Sequence, residues 1–499
     1  MDKGQALGAA PPTHHAQGGV AYKEVDSRYF EKRGLRRFAG PLHLWALGVG
    51  AVISGDFSGW NLGLASGGFG GMLIATVLIM IMYVGLCYSL AEMSPAMPHT
   101  GGAYSFSRAA MGPWGGFLTG LSENLEFVLT PAVIVFFIGS YLSSIFGTGP
   151  GFQPVWWALA YILFVGFNVI GVELSFRFSV VVTLAALAIL AVFWVSALPN
   201  WDLSLALNIP PTEGNSAWLP YGIGGALACM PFAVWFFLAI EQLPLAAEES
   251  HDPKRDMPKG LLYGILTLIA CAFLTLTLTS GVGPGAAGMA KSGEPLLDGF
   301  KAIYGEGLAK VLALVAVIGL IASFHTIIFA FGRQIYSLSR AGYFPTGLSV
   351  THGVRKTPYV ALITGAAIGF TVLMVVWSMA ADATATIGGT LLNMAVFGAM
   401  ISYMMQSVAF IILRRKLPHI ERPYVSPLGV VGATATILIA AVTLFFQLRD
   451  PVYQAGVYAA ASYIGLGIVY FALVGRHKLI LSPEEKFAMT GGRSGYDAH

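Results

Sequence analysis

Two short stretches of this sequence place a carboxylate beside helix-breaking residues inside otherwise apolar runs. The first is SGDFSGWN at 54–61, which contains Asp56, and the second is AIEQLP at 239–244, which contains Glu241. Breaks of this kind free backbone groups that, together with the charged side chain, can hold a small polar ligand. In a bilayer a carboxylate costs about 2.5–3.5 kcal/mol at the midplane, and a cationic ligand would offset part of that cost. The pattern therefore predicts a site for a small cation.

Asp56 also has a local interpretation. Aspartate is a good N-cap, and Asp56, flanked by Ser54 and Ser58, could cap the second half of the interrupted helix. A capping carboxylate keeps its second oxygen free, so capping and ligand binding are compatible. Both interpretations stay open on the sequence alone.

A second pair of acids lies in the apolar run LSENLEFVL at 121–129. Glu123 and Glu126 are three residues apart, which places both on one face of a helix. Four carboxylates around one small cation cannot all stay ionised, because like charges repel. We therefore expect at least one of Glu123, Glu126 and Glu241 to carry a proton for part of the working cycle. For Glu123 a structural hydrogen bond near the end of the helix is the alternative.

The elements that must position these acids are membrane helices. Hydrophobic residues form 56% of the 499 positions and charged residues 11%, and the mean hydropathy is +0.70, far from the composition of soluble domains. Stretches of about 20 apolar residues are long enough to cross a bilayer as helices. The composition thus predicts an all-α polytopic membrane protein. The predicted spans are 42–66, 71–96, 115–146, 154–172, 177–198, 218–247, 259–283, 305–339, 357–379, 384–413, 428–447 and 452–474.

Lysine and arginine predict the orientation of these spans. With the N-terminus in the cytoplasm, 24 of the 28 basic residues fall on the cytoplasmic side and four on the other. Both termini are therefore predicted to be cytoplasmic. The net charge of +3 follows from this bias and indicates no nucleic acid partner. The three cysteines lack metal-ligand spacing, and we expect neither a metal site nor a cofactor.

The two interrupted spans are the first and the sixth, which suggests an internal repeat of five helices. Transporters built on inverted repeats carry one broken helix at the matching place in each half. The predicted organisation is a tail at 1–40, a first repeat at 41–198, an extracytoplasmic loop at 199–217, a second repeat at 218–413, two further helices at 414–474 and a tail at 475–499.

Other acids lie at the ends of the apolar runs, and we interpret them as structural. Surface pairs of this kind contribute little individually. The acids are Glu92, Glu173, Glu248 and Glu249, with Arg108, Arg177, Lys254 and Arg255 as predicted partners.

Three motifs on the predicted cytoplasmic side carry a family resemblance. PAMPHTGGAYSFSRAAMGPWGG at 95–116, FFLAIEQLPLAAEESHDPKRDMPKG at 236–260 and RQIYSLSRAGYFP at 333–345 resemble the amino acid–polyamine–organocation permeases. The resemblance covers about 40–475. Within that superfamily, SGDFSGWNLGL and SENLEF most resemble bacterial ethanolamine permeases. It implies a LeuT-type fold, with a five-plus-five inverted repeat, helices 1 and 6 interrupted, and two extra helices.

The resemblance also implies where substrate binds. Amino acid permeases of this superfamily hold the substrate carboxylate at a Gly-Ser-Gly triplet in the helix 1 break. Here the triplet is Gly59-Trp60-Asn61, so an indole and an amide side chain replace the small residues. An amine without a carboxylate suits such a break, with Trp60, Trp235 and Phe237 as a cation–π wall. The implied substrate-binding residues are Asp56, Ser58, Gly59, Trp60, Asn61, Glu126, Trp235, Phe237 and Leu238.

The same resemblance implies which residues couple substrate transport to an ion. Related permeases carry an acid just past the helix 6 break, where it is associated with proton coupling or gating, and Glu241 matches it. Glu123 and His325 are further candidates for carrying the proton, although a lone helix histidine is commonly just packed. Ser323 and Thr326 could form a sodium site as helix 8 hydroxyls do in sodium-coupled relatives, but such hydroxyls often bond their own helix.

These observations predict a secondary transporter of the bacterial inner membrane that imports a small primary amine, with ethanolamine as the best guess. Its partners would be the cationic amine, the lipid bilayer and a coupled proton, with sodium less favoured. The alternatives are an amino acid permease or exchanger of the same superfamily and a non-transporting amine sensor. We expect no enzymatic activity, since HExxH and GxSxG motifs are absent from the sequence. The oligomeric state stays open.

Overall fold

The structure, a computed structural model, describes residues 14–17, 19–23, 25, 27–33, 35, 37–99, 101–379 and 384–491. Short 3-10 helices cover Trp60–Gly63, Pro150–Phe152, Leu198–Asn200, Ile240–Glu249, Thr346–Ser349 and Gly475–His477. The strands and α-helices, in chain order, are β1 (His14–Gln17), β2 (Val20–Lys23), α1 (Ser27–Glu31), α2 (Pro41–Val52), α3 (Ser54–Phe57), α4 (Leu64–Ala96), α5 (Gly102–Phe146), α6 (Gln153–Ile170), α7 (Val172–Ala197), α8 (Leu203–Ala206), α9 (Gly222–Ala228), α10 (Met230–Val234), α11 (Pro253–Ser280), α12 (Gly285–Met289), α13 (Pro295–Arg340), α14 (Tyr359–Met379), α15 (Thr384–Lys416), α16 (Gly429–Arg449), α17 (Gln454–Leu473), β3 (Leu479–Ile480) and α18 (Pro483–Thr490).

Within the described residues, 10 helical segments are long and apolar enough to cross a membrane. The chain is therefore an all-helical, multi-pass membrane protein. The two remaining predicted spans, 42–66 and 218–247, consist largely of shorter helical pieces, such as α2 with 12 residues and the 3-10 helix Ile240–Glu249 with 10. The twelve-helix count and the inverted repeat stay predictions. The ten segments are Trp60–Ala96, Gly102–Phe146, Pro150–Ile170, Val172–Asn200, Pro253–Ser280, Pro295–Arg340, Tyr359–Met379, Thr386–Lys416, Gly429–Arg449 and Gln454–His477.

The first break falls between α3 and the 3-10 turn Trp60–Gly63. Ser58 is extended, and Gly59 follows with a φ of 99°. A side chain would strain this backbone, so the position requires glycine. The helix then continues into α4. Because the break comes after Asp56, this residue ends the first half-helix and does not begin the second.

The second break falls between α10 and the 3-10 helix Ile240–Glu249. Ala239 has a φ of 82°, which is unusual for a residue with a side chain, and such strain typically costs of order 1–3 kcal/mol. The two breaks pack directly on each other. A Cβ on Gly55 would lie 2.2 Å from the carbonyl oxygen of Trp235, so only glycine permits this approach.

Segments of both predicted tails pair with each other. β1 runs antiparallel to β2, and β2 runs parallel to β3, with Tyr22 opposite Leu479. α18 follows β3 and packs against α5. We call the three strands and α18 the tail cap. The predicted boundaries 1–40 and 475–499 thus enclose segments that form one small structure.

The acids at the ends of the apolar runs, which we interpreted as structural, form ion pairs, but most of their partners differ from the predicted ones. Glu173 and Arg177 pair as expected, at 2.8 Å. The other predicted partners are wrong, because helix packing brings together residues far apart in sequence. The observed pairs are Glu92–Arg414, Glu92–Arg422, Glu249–Arg333, Glu248–Arg340, Arg108–Glu485 and Lys254–Glu421.

Candidate functional site

Three of the four predicted carboxylates lie together in the protein interior. Glu126 on α5 and Glu241, just after the second break, face each other without forming a hydrogen bond of good geometry. Glu123, one turn before Glu126, lies within electrostatic reach of Glu241 and faces Gln334. All three are buried. Carboxyl groups this close cannot all be ionised, so the carboxyl cluster (Glu123, Glu126 and Glu241) is suited to hold protons or a cation.

Two tyrosines extend the carboxyl cluster. The Tyr403 hydroxyl on α15 donates to Oε1 of Glu126 at 2.8 Å, and the Tyr83 hydroxyl on α4 donates to Tyr403 at 3.0 Å. Phe237 packs on Tyr83 with ring centroids 5.5 Å apart. Sequence analysis missed both tyrosines, because a phenol in an apolar helix looks the same as an ordinary core aromatic residue. Four helical elements therefore meet at this one polar centre.

Asp56 faces a different set of groups, on α11. It is buried, its carboxylate lies beside the side chain of Thr275, and Cys271 lies within electrostatic reach. Among the described residues, neither carboxylate oxygen of Asp56 has a hydrogen-bond partner. The interpretation of Asp56 as an N-cap is wrong, because the break follows it. The predicted ring of four carboxylates is divided, with three in the cluster and Asp56 beside α11.

The side chain of Asn61 fills the backbone nest of the first break. The amide N–H of Gly59 donates to Oδ1 of Asn61 at 3.0 Å, so the N–H that could receive an anion is already satisfied. Trp60 beside it is completely buried. The free backbone N–H of the first break is therefore bonded to a side chain of the break itself. The replacement of Gly-Ser-Gly by Gly59-Trp60-Asn61 implies such a filled nest.

Ser58 and Asn61 also fasten the break to the loop that follows α12. Nδ2 of Asn61 donates to the carbonyls of Met289 at 2.6 Å and Ser292 at 2.8 Å. Oγ of Ser58 donates to the carbonyl of Gly293 at 2.8 Å. We call residues 289–294 the lid loop. The predicted substrate contacts Ser58 and Asn61 hold this loop over the break in the present conformation.

The predicted cation–π wall is rearranged. Trp60 stacks on Phe236, with ring centroids 5.2 Å apart, so one indole face is covered by a neighbour that was not predicted. Phe237 points instead toward the carboxyl cluster, and Leu238 is buried in the same break. The indole N–H of Trp235 has no hydrogen-bond partner within the described part of the chain. The indole N–H of Trp60 is likewise unpaired among the described residues, and contact of Trp60, Trp235 and Phe237 with a ligand stays a prediction.

The possible ion site on helix α13 is occupied by internal hydrogen bonds. Oγ of Ser323 accepts the Ser54 amide N–H at 2.8 Å and donates to the carbonyl of Gly50 at 2.7 Å. Oγ1 of Thr326 donates to the carbonyl of Ala322 on its own helix at 2.9 Å. A sodium ion here would have to displace these bonds. The Ser323 hydroxyl instead ties α13 to the first half-helix.

His325 is a packed side chain. Its ring nitrogens lie 3.1 Å from Nδ2 of Asn168 and 2.9 Å from Oγ of Ser175. The rings of Phe164 and Phe178 surround it. Both ring nitrogens have polar partners, as expected for a histidine that only packs in the interior. A role of His325 in carrying the proton stays a prediction.

Asp56→Asn is expected to raise the melting temperature and to reduce amine uptake by at least about tenfold. The substitution removes a buried carboxylate whose oxygens have no hydrogen-bond partner among the described residues, which favours the folded state, and it also removes the predicted charge-assisted contact for a cation. Thermal unfolding and uptake into liposomes would measure both effects. Asp252→Asn, the same change at an exposed position, is the control. Normal uptake by the Asp56 variant would remove this residue from the site.

Comparisons with known proteins agree with this architecture. A family model described as amino acid permease matches residues 40–471. An uncharacterised transporter of Rhizobium meliloti (strain 1021) is 29% identical over 427 residues, covering 83% of this chain and 87% of the relative. The branched-chain amino acid permease of Bacillus subtilis (strain 168) is 25% identical, covering 79% and 85%. The methylthioribose transporter of the same organism is 24% identical, covering 92% and 97%.

Proposed function

The chain belongs to the amino acid permease family, and from this premise we propose that this membrane transporter imports a small primary amine, with ethanolamine as the representative substrate. It would work in a bacterial inner membrane with both termini in the cytoplasm, an orientation supported by the distribution of basic residues. Uptake would be coupled to protons through the carboxyl cluster.

The closed nest of the first break is the observation that carries this proposal. The Gly59 N–H, which an amino acid carboxylate would need, is bonded to Asn61, and Asn61 in turn holds the lid loop. A carboxylate would have to displace these bonds and would leave buried polar groups unpaired. A simple amine imposes no such cost. Relatives named for branched-chain amino acids and for methylthioribose indicate that the family accepts substrates with and without a carboxylate.

The carboxyl cluster supplies the cationic end of the proposed site. An ammonium group has three donors and can bind one carboxylate of the cluster while a neighbouring carboxyl keeps its proton. Tyr403 already donates to Glu126 at 2.8 Å and fixes its orientation. The ring of Phe237 lies beside Tyr83 and adds an aromatic surface. Simultaneous binding of the amine and of a proton on neighbouring carboxyls of the cluster would give a physical basis for proton-coupled uptake.

Alternating access would follow from movement of the two breaks. The lid loop is fastened to the first break by Ser58 and Asn61, and Gly55 packs on the backbone of Trp235 in the second break. Opening toward the lid side requires the bonds to the lid loop to separate. Opening toward the other side requires the first half-helix to move relative to α13, where Ser323 holds it.

Uptake of radiolabelled ethanolamine into liposomes holding the purified protein tests this function. We expect unlabelled ethanolamine and related small amines to compete, while serine and arginine do not, because their carboxylates find no free nest. An inward proton gradient should produce a transient accumulation above equilibrium. Choline as a competitor measures how much methylation of the ammonium the site accepts.

The outcomes separate the proposed substrate from its main rival. Strong competition by serine or arginine would mean that the Asn61 bonds yield to a carboxylate, and the protein would then be an amino acid permease. The identity of 25% to a branched-chain amino acid permease is the observation that favours this rival. Absence of any amine uptake, with leucine taken up instead, would overturn the proposal.

A further inference from the structure

A polar cavity of about 420 Å³ lies on the outer side of the lid loop, away from the tail cap. Its walls are the last turns of α5, the segment 148–153 and the residues 291–298 that lead into α13. We call it the outer cavity. Hydroxyl groups dominate its lining, together with the carboxylates of Glu294 and Asp298. It is separate from the carboxyl cluster and from both breaks.

Glu294 is held in this cavity by hydroxyls alone. Oε2 accepts a hydrogen bond from Ser140 at 2.5 Å, and Oε1 accepts one from Ser144. Lys301 lies nearest to Asp298, at 3.8 Å. Within the described residues, Glu294 therefore has no cationic partner at ion-pair distance. A partly enclosed carboxylate of this kind is stabilised when a cation binds next to it.

A second, independent feature also indicates a ligand. Ser143 lines the cavity and is only 8% exposed, and its Oγ has no hydrogen-bond partner among the described atoms. Buried hydroxyls are nearly always paired, so an orphan beside a cavity is suited to a polar ligand. Ser143 also lies in the last turn of α5, where the negative end of the helix dipole favours a cation.

The lid loop lies between the outer cavity and the first break. Glu294 follows Gly293, whose carbonyl accepts the hydrogen bond from Ser58, and Ser292 accepts one from Asn61. A ligand on Glu294 would therefore lie next to the lid loop residues that accept hydrogen bonds from Ser58 and Asn61. The outer cavity is where a substrate from the lid side would arrive before the lid loop opens.

We propose that the outer cavity is a second binding site for the same small hydroxylated amine, with its ammonium on Glu294 and its hydroxyl on Ser143. This inference rests on the proposed function, since it assumes an amine substrate. The cavity binds the amine before the lid loop separates from Ser58 and Asn61. It thereby raises the local concentration of the amine at the entrance.

The charge of Glu294 sets the pH dependence of this site. Burial raises the pKa of Glu294 above its ordinary value, and the hydrogen bonds from Ser140 and Ser144 offset part of this rise. The neighbouring carboxylate of Asp298 raises the pKa further, while Lys301 lowers it. Lys291 also lines the cavity. Amine binding here requires ionised Glu294, so it should be complete above the raised pKa and should be lost as the pH falls through it.

Equilibrium binding of radiolabelled ethanolamine to the purified protein tests the inference. We expect two molecules bound per chain in the unmodified protein and one in Glu294→Gln. The variant should also show a KM for uptake raised by about tenfold or more with kcat unchanged, because one charge-assisted contact is lost. Glu306→Gln, at an exposed acid on α13, the helix that begins directly after Glu294, is the control and should keep two sites.

The binding counts distinguish the two proposals. No binding at all would contradict the proposed function, whereas a single site unaffected by Glu294→Gln would overturn the outer site and leave the function intact. Since Glu294 also holds α5, a second measurement detects ethanolamine in the outer cavity directly, first with Glu294 in place. Gln153→Cys places a thiol on the cavity wall, and the three native cysteines are buried. Ethanolamine should slow its labelling by a cationic thiol reagent in the Glu306→Gln background but not in Glu294→Gln, and equal rates with and without ethanolamine in both would overturn the inference.

Discussion

Replacing Glu126 with glutamine is expected to reduce proton-driven uptake of ethanolamine by roughly a hundredfold, the factor that about 3 kcal/mol of lost interaction with a charged group represents. Glutamine keeps the shape of the side chain and can still accept the hydrogen bond from Tyr403. What it removes is one of two carboxyls that face each other. Glu241 alone cannot hold an ammonium group and a coupled proton at the same time.

The measurement is uptake into liposomes with and without an inward proton gradient. Folding is checked by the melting temperature, which should not fall, because a buried acid is replaced by a neutral amide. Glu306→Gln controls for the loss of an acid at an exposed position. If Glu126→Gln still accumulates amine in response to the gradient, the carboxyl cluster does not couple transport to protons.

Replacing Glu485 with alanine is expected to destabilise the tail cap by about 3–5 kcal/mol, the usual effect of breaking a buried ion pair. Glu485 is fully buried and lies 2.5 Å from Nε of Arg108. It also accepts hydrogen bonds from the hydroxyls of Tyr22 at 2.8 Å, Tyr343 at 2.9 Å and Tyr104 at 3.2 Å. Alanine would leave the guanidinium and three phenols without their common partner.

Limited proteolysis and thermal unfolding check this prediction. We expect faster cleavage in α18 and a lower melting temperature. Glu421→Ala is the matched control, because Glu421 forms an exposed pair with Lys254 at 2.7 Å, and surface pairs contribute about 0–1 kcal/mol. Equal effects of the two substitutions would mean that the tail cap does not depend on its buried carboxylate.

The two broken helices could be predicted because their signal is local. Glycine, serine, proline and an acid inside an apolar run are visible without any knowledge of tertiary structure. The exact position of a break is not visible in this way. Asp56 lies on the first half-helix because the backbone turns at Gly59, and only the packing against α11 places its carboxylate beside Thr275. A helix end predicted from residue types is commonly uncertain by such a margin.

Groups whose partners are distant in sequence could not be predicted. Tyr403 meets Glu126 across 277 positions, and Glu485 meets Arg108 across 377. Such contacts depend on which helices are neighbours, and a single sequence without homologues does not contain that information in a readable form. Glu173 and Arg177 were predicted correctly because they are four residues apart on one helix. The carboxyl cluster itself was anticipated as a group of acids, but not its tyrosines.

The pairing within the tail cap has a consequence for the order in which the protein is made. β2 contributes Tyr22 and Lys23, whose strand partners are Leu479 and Ile480. Chains are synthesised from the N-terminus, so this part of β2 emerges first and waits for nearly the whole chain before its partner exists. Until then one edge of the strand is unpaired and open to wrong partners. Closing of the tail cap therefore requires synthesis to have passed residue 480, and a chain interrupted before residue 479 leaves this edge of β2 unpaired.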